Sequence, residues 1–354
     1  MAQQTTLITG GTGFIGSNVA MRLLERDYDT RVVLFDRNPD LSRLTGFGSR
    51  YDAVKDRVTF VQGDLTILPH VLALFDTHNP DSVFHLGALL SAGAEANPTM
   101  GFQTDLVGSW HVFEAARLYC QHAGTPPIRV MFPSTIASFG SFIAPGATVK
   151  NEDVQMPTTM YGSAKVSVER LGEYYNRKGW IDFRAVRFPS VIGASRGPGG
   201  TTAYSTLMVQ EPLRSPPRQY IAYVDQDTRL DIIYISEALD AIIGLHDASS
   251  ALLKPERRVY NIAGTKVGGQ APTALDIKNA VLAVKPDANI DFQADPVLQA
   301  TVRSFGILDD SVAQADWHWK SRAARLDLAT VVAEFKKEVN DYPKRIKSLE
   351  LFGA

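Results

Sequence analysis

The chain has 354 residues, 45% hydrophobic and 21% charged, with a formal net charge of −2. This is ordinary globular composition in a chain long enough to bury a sizeable core, and the near balance of charge excludes a general nucleic-acid or anionic-membrane binder. Apolar runs are strand-sized, short of the ~20 residues that span a bilayer. Cys120 is the only cysteine, which excludes an intrachain disulfide, and a first strand so near the start leaves no room for a signal peptide. The expectation is a soluble cytoplasmic protein.

Thr5–Thr9 reads as a short apolar strand leading directly into TGGTGFIG at 9–16. Residues 16–25 then carry helical spacing, with Val19, Leu23 and Leu24 on one face. In that loop Gly10 permits a tight turn, Gly13 lets backbone approach a pyrophosphate, and Gly16 allows close helix–sheet packing. The helix N-terminus presents free N–H groups and a positive dipole end to the phosphates. A glycine-rich turn without a ligand is the bland alternative, and context argues against it. A second strand, Arg31–Phe35, ends at Asp36, about 20–26 residues beyond the glycines, where a ribose diol needs an acceptor. A third, Val58–Gln62, is followed by Gly63 and Asp64, placed to reach an adenine edge. A carboxylate at position 36 repels a 2′-phosphate, so NAD is favoured over NADP; the adjacent Arg37 tempers this, because an arginine can accept that phosphate.

A helix is expected near Pro69–Asp76, a strand at Ser82–Leu86, a helix at Leu106–Gln121 and a strand at Ile128–Phe132. A helix at Tyr161–Lys178 and a strand at Phe183–Phe188 follow. Strands alternating with helices predict a doubly wound parallel sheet of the Rossmann type, and the short VFHL and VMFP runs suit strands buried on both faces. Ser134 and Thr135 follow the central strand, whose C-terminal end points hydroxyls into the ligand crevice. Tyr161 and Lys165 form Y-x-x-x-K, and positions i and i+4 share one helix face. A fixed positive charge near a phenol lowers its pKa and makes a general base. Alone that spacing is common and carries little; its position downstream of the glycine loop gives it weight.

Beyond Phe188 the pattern loosens. Ala194–Thr202 reads as a long loop, Glu211–Arg218 with three prolines as surface loop, Val259–Ala263 as a strand, and Leu275–Val284 and Leu328–Val339 as helices. The expected organisation is a dinucleotide-binding domain over 1–189, with residues near 232–263 returning to it, and a smaller C-terminal α/β substrate lobe from 190–231 and 264–354. The seven histidines are scattered without metal-ligand spacing, so no metal is expected; His85 reads as a packing residue.

The whole chain resembles the extended short-chain dehydrogenase/reductase superfamily, also called the NAD-dependent epimerase/dehydratase family. The resemblance is carried by TGGTGFIG, Asp36, GDL at 63–65, FHLGA at 84–88, PSTIASFG at 133–140 and YGSAK at 161–165, in order through the N-terminal half. It implies NAD as cofactor, held by Gly10, Gly13, Phe14, Ile15, Gly16, Asp36, Arg37, Asp64, Leu65, Leu86, Gly87, Ala88, Asp105, Pro133, Tyr161, Lys165, Phe188 and Pro189. It implies Tyr161 as general base, Lys165 orienting it and the ribose, Thr135 at the serine/threonine position, and a homodimer through helices 106–121 and 161–178. One departure stands out. The family has Asn in an N-x-x-G-T stretch, whereas this chain reads DLVGS with Asp105, a charged group able to alter the local proton chain.

Within the family, the dehydratases place an Asp–Glu pair after the catalytic threonine, and here Ile136 and Ala137 follow Thr135. The sugar-nucleotide epimerases carry an Asn where this chain has Ser190. RFPSVIG instead resembles segments of the short-chain-type L-threonine 3-dehydrogenases and the D-erythronate dehydrogenases. TMYG at 159–162 and GGTTAY at 199–204 lean to the first; AEAN at 94–97 and EPL at 211–213 lean to the second. Both imply oxidation of a hydroxyl on a small acid, with Ser91, Thr135, Tyr161, Thr201 and Thr202 around the substrate. Arg187 and Arg229 are carboxylate partners by charge alone, Arg187 being the more structural, and a turn or helix cap is the bland role for Thr201 and Thr202. An NAD-dependent sugar-nucleotide epimerase is the alternative, and a non-catalytic NAD-sensing protein a third reading opposed by the intact Thr135, Tyr161 and Lys165.

Overall fold

The computed structural model describes residues 4–140, 143–144, 146–319 and 327–347. In chain order the strands are β1 (Gln4–Thr9), β2 (Thr30–Asp36), β3 (Val58–Gln62), β4 (Ser82–His85), β5 (Arg129–Thr135), β6 (Thr148–Val149), β7 (Asp182–Phe188), β8 (Ser190–Ile192), β9 (Tyr220–Ala222), β10 (Ile232–Tyr234), β11 (Val259–Asn261), β12 (Ile290–Phe292) and β13 (Ile307–Leu308). Seven of them form one sheet in the order β11-β7-β5-β4-β1-β2-β3, and all its pairings are parallel. The order runs one way from β1 through β2 to β3 and the other way from β1 through β4. That reversal opens a crevice beyond the carboxyl ends of β1 and β4.

Strand residues alternate between two cores, as the two-residue period requires. Ile8, Val32, Leu34, Phe84 and Met131 face one side, where Val19, Ala20, Leu23 and Leu24 of the helix Phe14–Arg26 cover them. Leu7, Val33, Phe35, Val83 and Val130 face the other, under Val71, Leu74 and Phe75 of Leu68–His78 and Val112 and Phe113 of Gly108–Ala123. With apolar cover on both faces, the strands read as near-continuous hydrophobic runs.

Several boundaries differ from the sequence expectation. The strand expected to stop at Phe132 continues to Thr135: pairing with β4 ends at Met131, whereas pairing with β7 runs on to Phe188. The helix expected from Leu106 starts earlier, because Pro98–Gly101 runs into a π-helical segment, Phe102–Val107, and then into Gly108–Ala123. Part of Glu211–Arg218 is not loop. Glu211, Pro212 and Leu213 form the last turn of the helix Tyr204–Leu213.

The later chain contributes three two-stranded parallel pairs, β8 with β10, β9 with β12 and β6 with β13. Strands of two or three residues are too short to print a period on the sequence. From this part of the chain β11 joins the edge of the large sheet beside β7. Among the described residues no helix is long and apolar enough to cross a membrane.

Candidate active site

A crevice of about 530 Å³ lies over the carboxyl ends of the central strands. Its floor is the glycine turn. Gly10 has φ +66°, and a Cβ there would lie 2.7 Å from the Gly87 nitrogen; one on Gly16 would lie 2.2 Å from the Gly10 carbonyl oxygen. Side chains at these two positions would fill the floor or push the helix off the sheet. No side chain caps the helix Phe14–Arg26 at Gly13, so its first N–H groups are left to an anion. These features fit a dinucleotide pyrophosphate.

At the end of β2, Asp36 accepts hydrogen bonds from the Thr12 nitrogen at 3.2 Å and the Asn38 nitrogen at 3.0 Å. One lone pair on each oxygen is thereby committed, which fixes the carboxylate and leaves acceptor capacity for a diol. Asp64 is held below its ordinary pKa although burial acts the other way, because the Thr66 nitrogen and hydroxyl donate to it and Arg37 stands nearby. Arg37 lies 3.8 Å from Asp64, with its side chain largely exposed.

Thr135, Tyr161 and Lys165 all line the same crevice. Thr135 ends β5, and its Oγ1 accepts from the Ala137 nitrogen at 3.2 Å, leaving the hydroxyl proton free to donate. The helix Met160–Arg177 is capped by Thr159, whose Oγ1 accepts from the Gly162 nitrogen at 3.0 Å. Gly162 permits the close approach: a Cβ there would lie 2.4 Å from the Ala137 carbonyl oxygen. Lys165 donates from Nζ to the Pro133 carbonyl at 2.9 Å and sits 5.4 Å from the Tyr161 ring centroid. Burial lowers its pKa to about 8, against the pull of Asp105 and Glu169.

The electrostatics of Tyr161 differ from the sequence expectation of a phenol acidified by Lys165. Burial pushes its pKa up, Asp105 adds to the rise, and Arg196 opposes it. The ammonium is engaged with the Pro133 carbonyl, so desolvation dominates.

Three residues named for the site lie outside the crevice lining. Arg229 donates to the Ala271 carbonyl at 2.7 Å and belongs to the loop packing there. Asp105 stands behind the wall in the π-helical segment, where Oδ1 accepts from the Leu89 nitrogen at 2.6 Å. Arg187 likewise points into the protein, as a buried partner of Glu169 at 2.8 Å. The remaining expected cofactor and substrate residues line the crevice. Ser91 Oγ accepts from both the Thr201 nitrogen, at 3.1 Å, and the Thr201 hydroxyl, at 2.8 Å. Thr202 Oγ1 accepts from Ser190 and Arg196, so both threonines serve the local loop as well as the crevice.

The sequence reading missed Arg43, Asn38 and Arg196, all of which line the crevice. Arg43 lies in a single helical turn, Ser42–Thr45, too short to print a period on the sequence, and Arg196 lies in the irregular segment after β8. It also missed a buried chain behind Gly87. The Gly87 nitrogen donates to Thr9 Oγ1, which bonds His85 Nδ1 at 2.7 Å; His85 Nε2 bonds Ser109 Oγ at 2.8 Å, and Ser109 donates to the Asp105 carbonyl. With Ser109 donating onward, His85 Nε2 carries the proton and Nδ1 accepts from Thr9. Burial drives the His85 pKa to about 3, so the ring stays neutral. His85 is thus a positioning group for the Gly87 backbone.

Asp105 yields a stability prediction. Its Oδ2 is buried without a hydrogen-bond partner, and burial raises its pKa to about 6. A folded pKa above the unfolded value means that ionisation costs the fold. The cost grows from the unfolded pKa of about 3.9 up to about 6 and is constant above. Asp105→Asn is therefore expected to stabilise the protein by roughly 1–3 kcal/mol at pH 8 and to leave it unchanged below pH 4. Denaturant unfolding at the two pH values checks this; an equal gain at both would remove ionisation as the cause.

Residues 6–263 match the NAD dependent epimerase/dehydratase family. The chain is 31% identical over 337 residues to the mitochondrial L-threonine 3-dehydrogenase of Bos taurus, covering 94% of this chain and 83% of that one. Among solved structures it is similar to L-threonine dehydrogenase from Phytophthora infestans, with a TM-score of 0.80 and 30% identity over 95% of this chain and 99% of that one. It is equally similar to the holo form of a GalE-like L-threonine dehydrogenase from Cupriavidus necator, with a TM-score of 0.80, 30% identity and the same two coverages. With the glycine cradle, the parallel sheet and a match over more than two thirds of its length, the chain belongs to the NAD-dependent epimerase/dehydratase family.

Proposed function

We propose that the protein is an NAD-dependent dehydrogenase that oxidises the hydroxyl of a small hydroxy acid or β-hydroxy amino acid, L-threonine-like or erythronate-like, to a ketone. The observation that carries this is the convergence of Thr135, Tyr161 and Lys165 on one crevice wall beside the glycine cradle. Gly10, Gly13, Gly16 and the first turn of the following helix would hold the pyrophosphate, Asp36 the adenosine ribose, and Asp64 and Leu65 the adenine end. Leu86–Ala88, Pro133, Phe188 and Pro189 would flank the nicotinamide half. A cofactor held there would supply the acceptor for the hydride that leaves the substrate carbon. Thr135 holds the substrate oxygen, Tyr161 takes its proton at the phenolic oxygen, and Lys165 fixes the ribose and the charge balance. Asp36 and its two backbone donors favour NAD over NADP.

In this reading 1–189 with the returning 232–263 carries the cofactor, and 190–231 with 264–354 closes over the substrate. The exposed faces of Gly108–Ala123 and Met160–Arg177 carry Trp110, Leu118 and Tyr174, consistent with a homodimer, and a cytoplasmic setting is proposed with it. The threonine dehydrogenase relatives support the substrate class. The test is the appearance of NADH absorbance with NAD+ and a panel of C3–C5 hydroxy acids and β-hydroxy amino acids. Turnover with at least one is expected; no reduction with any, alongside interconversion of a UDP-sugar, would replace the dehydrogenase with the epimerase alternative.

A further inference from the structure

The crevice holds a guanidinium with no counter-charge. Arg196 Nη1 donates to Ser190 Oγ at 2.9 Å and to the Val191 carbonyl at 2.8 Å, and Nη2 donates to Thr202 Oγ1 at 3.0 Å. These acceptors are neutral. No carboxylate lies within ion-pair distance of Arg196 among the described residues. Nε and the second hydrogen of Nη2 have no acceptor there either, and together they form the side-on fork that grips a carboxylate with two parallel bonds. Gly200 leaves room at that edge, since a Cβ on it would lie 3.2 Å from Nη2. Arg196 and Tyr161 line the same crevice, close enough for each to act on the other's charge.

The carboxylates are distributed in the opposite sense. Among the described residues lining the crevice only Asp36 and Asp64 are acidic. They sit at β2 and just after β3, separated from Thr135 on β5 by β1 and β4. Asp105 lies behind the wall. A substrate ammonium beside Thr135 would meet Lys165 and Arg196 and no carboxylate in the crevice lining. Asp105 acts there only from behind the wall, across Tyr161 and Lys165, and a charge taken out of water without a contacting partner is costly.

Resting on the dehydrogenase reading, we infer that Arg196 anchors the substrate carboxylate and that the substrate is a small hydroxy monocarboxylate without an ammonium group, in preference to a β-hydroxy amino acid. The hydroxyl shared by both classes goes to Thr135 and Tyr161; the substituent that separates them is rejected for want of a carboxylate in contact with it.

Calorimetric titration of the NADH-loaded protein tests the inference without turnover. Three ligands of one carbon skeleton are compared: 3-hydroxybutyrate in both configurations, L-threonine, and 1,3-butanediol. The expected order places one configuration of 3-hydroxybutyrate about 10-fold or more ahead of the other two ligands. Arg196→Gln should weaken it by about 30-fold or more, the scale for removing one member of a desolvated charge pair, with the melting temperature and NADH affinity near wild type. Should that variant not fold, Arg196→Lys decides. It keeps the charge and loses the fork, and at least a several-fold loss is expected. Equal or tighter binding of L-threonine, unchanged binding of 3-hydroxybutyrate by the variant, or no binding of any of the three would overturn the inference. The outcomes are separable from the parent reading. NAD+ reduction with L-threonine as the preferred substrate sinks the inference and keeps the dehydrogenase, whereas the expected binding order without NAD+ reduction by any acid keeps the anchor and sinks the dehydrogenase.

Discussion

Tyr161→Phe is expected to lower kcat by about 10²–10⁴-fold, the usual contribution of a positioned acid–base group, while the dissociation constant for NADH stays near wild type. The phenolic oxygen has no hydrogen-bond partner among the described residues, so its removal leaves no buried group stranded and should cost little stability. The pH profile of the wild type makes the assignment sharper. Burial lowers the Lys165 pKa to about 8 and raises that of Tyr161. The first proton lost by the pair therefore comes mainly from the ammonium. The working form for oxidation, with phenolate beside ammonium, has lost the same number of protons as neutral phenol beside neutral amine. The apparent pKa thus belongs to the pair, and oxidation should rise with pH through a limb near 8. The measurement is kcat against pH for wild type and variant. A variant that retained the wild-type rate and the same ascending limb would transfer the base role away from Tyr161.

How legible this site was in the sequence depended on whether a residue's role is local. Gly10, Gly16 and Asp36 declare themselves because a strand, a tight turn and a helix follow in immediate succession, and the backbone constraint at each position is local. Tyr161 and Lys165 are tied by the helix period. Arg196 has no such neighbour. It reaches the crevice only because the chain after β8 turns at Ser195, whose φ is +73°, and the hydroxyls that receive its guanidinium are at 190 and 202. Arg229 was named on charge alone, and charge says nothing of direction. The small β-pairs were missed for a different reason: a strand of two or three residues gains its stability from a partner far along the chain, as with Thr148–Val149 and Ile307–Leu308, and shows no pattern of its own. Glu169 was legible in principle. It follows Tyr161 and Lys165 at i+8 and i+4 on one helical stripe, and a carboxylate continuing a stripe that faces the sheet requires a buried cation.

That cation is Arg187, and its replacement is the stability change with the largest expected size. Arg187 grips Glu169 with two bonds, Nε to Oε1 at 3.0 Å and Nη2 to Oε2 at 2.8 Å. Glu169 has no solvent exposure and Arg187 only 2%. Burial alone would raise the Glu169 pKa; Arg187, with hydrogen bonds from Ser134 and Gln155, holds it below its ordinary value. Arg187→Leu strands the carboxylate, and breaking a buried pair in this way costs about 3–5 kcal/mol. The pH dependence follows from the sign of the shift. A depressed folded pKa contributes stability above the unfolded pKa and loses it as pH falls. In the variant, Glu169 has lost its cation, rises in pKa and takes up a proton. The stability gap between wild type and variant should therefore be widest at pH 8 and narrow towards pH 4. Adding Glu169→Leu removes the stranded charge, and the double variant should be more stable than Arg187→Leu alone. Activity should fall with stability, because Ser134 donates to Glu169 next to Thr135 and Lys165 lies one turn before Glu169. Urea unfolding at pH 4 and 8 for the wild type and both variants gives the measurement. A gap that does not change with pH, or a double variant no better than the single one, would mean that the ion pair is not what joins the helix Met160–Arg177 to β5 and β7.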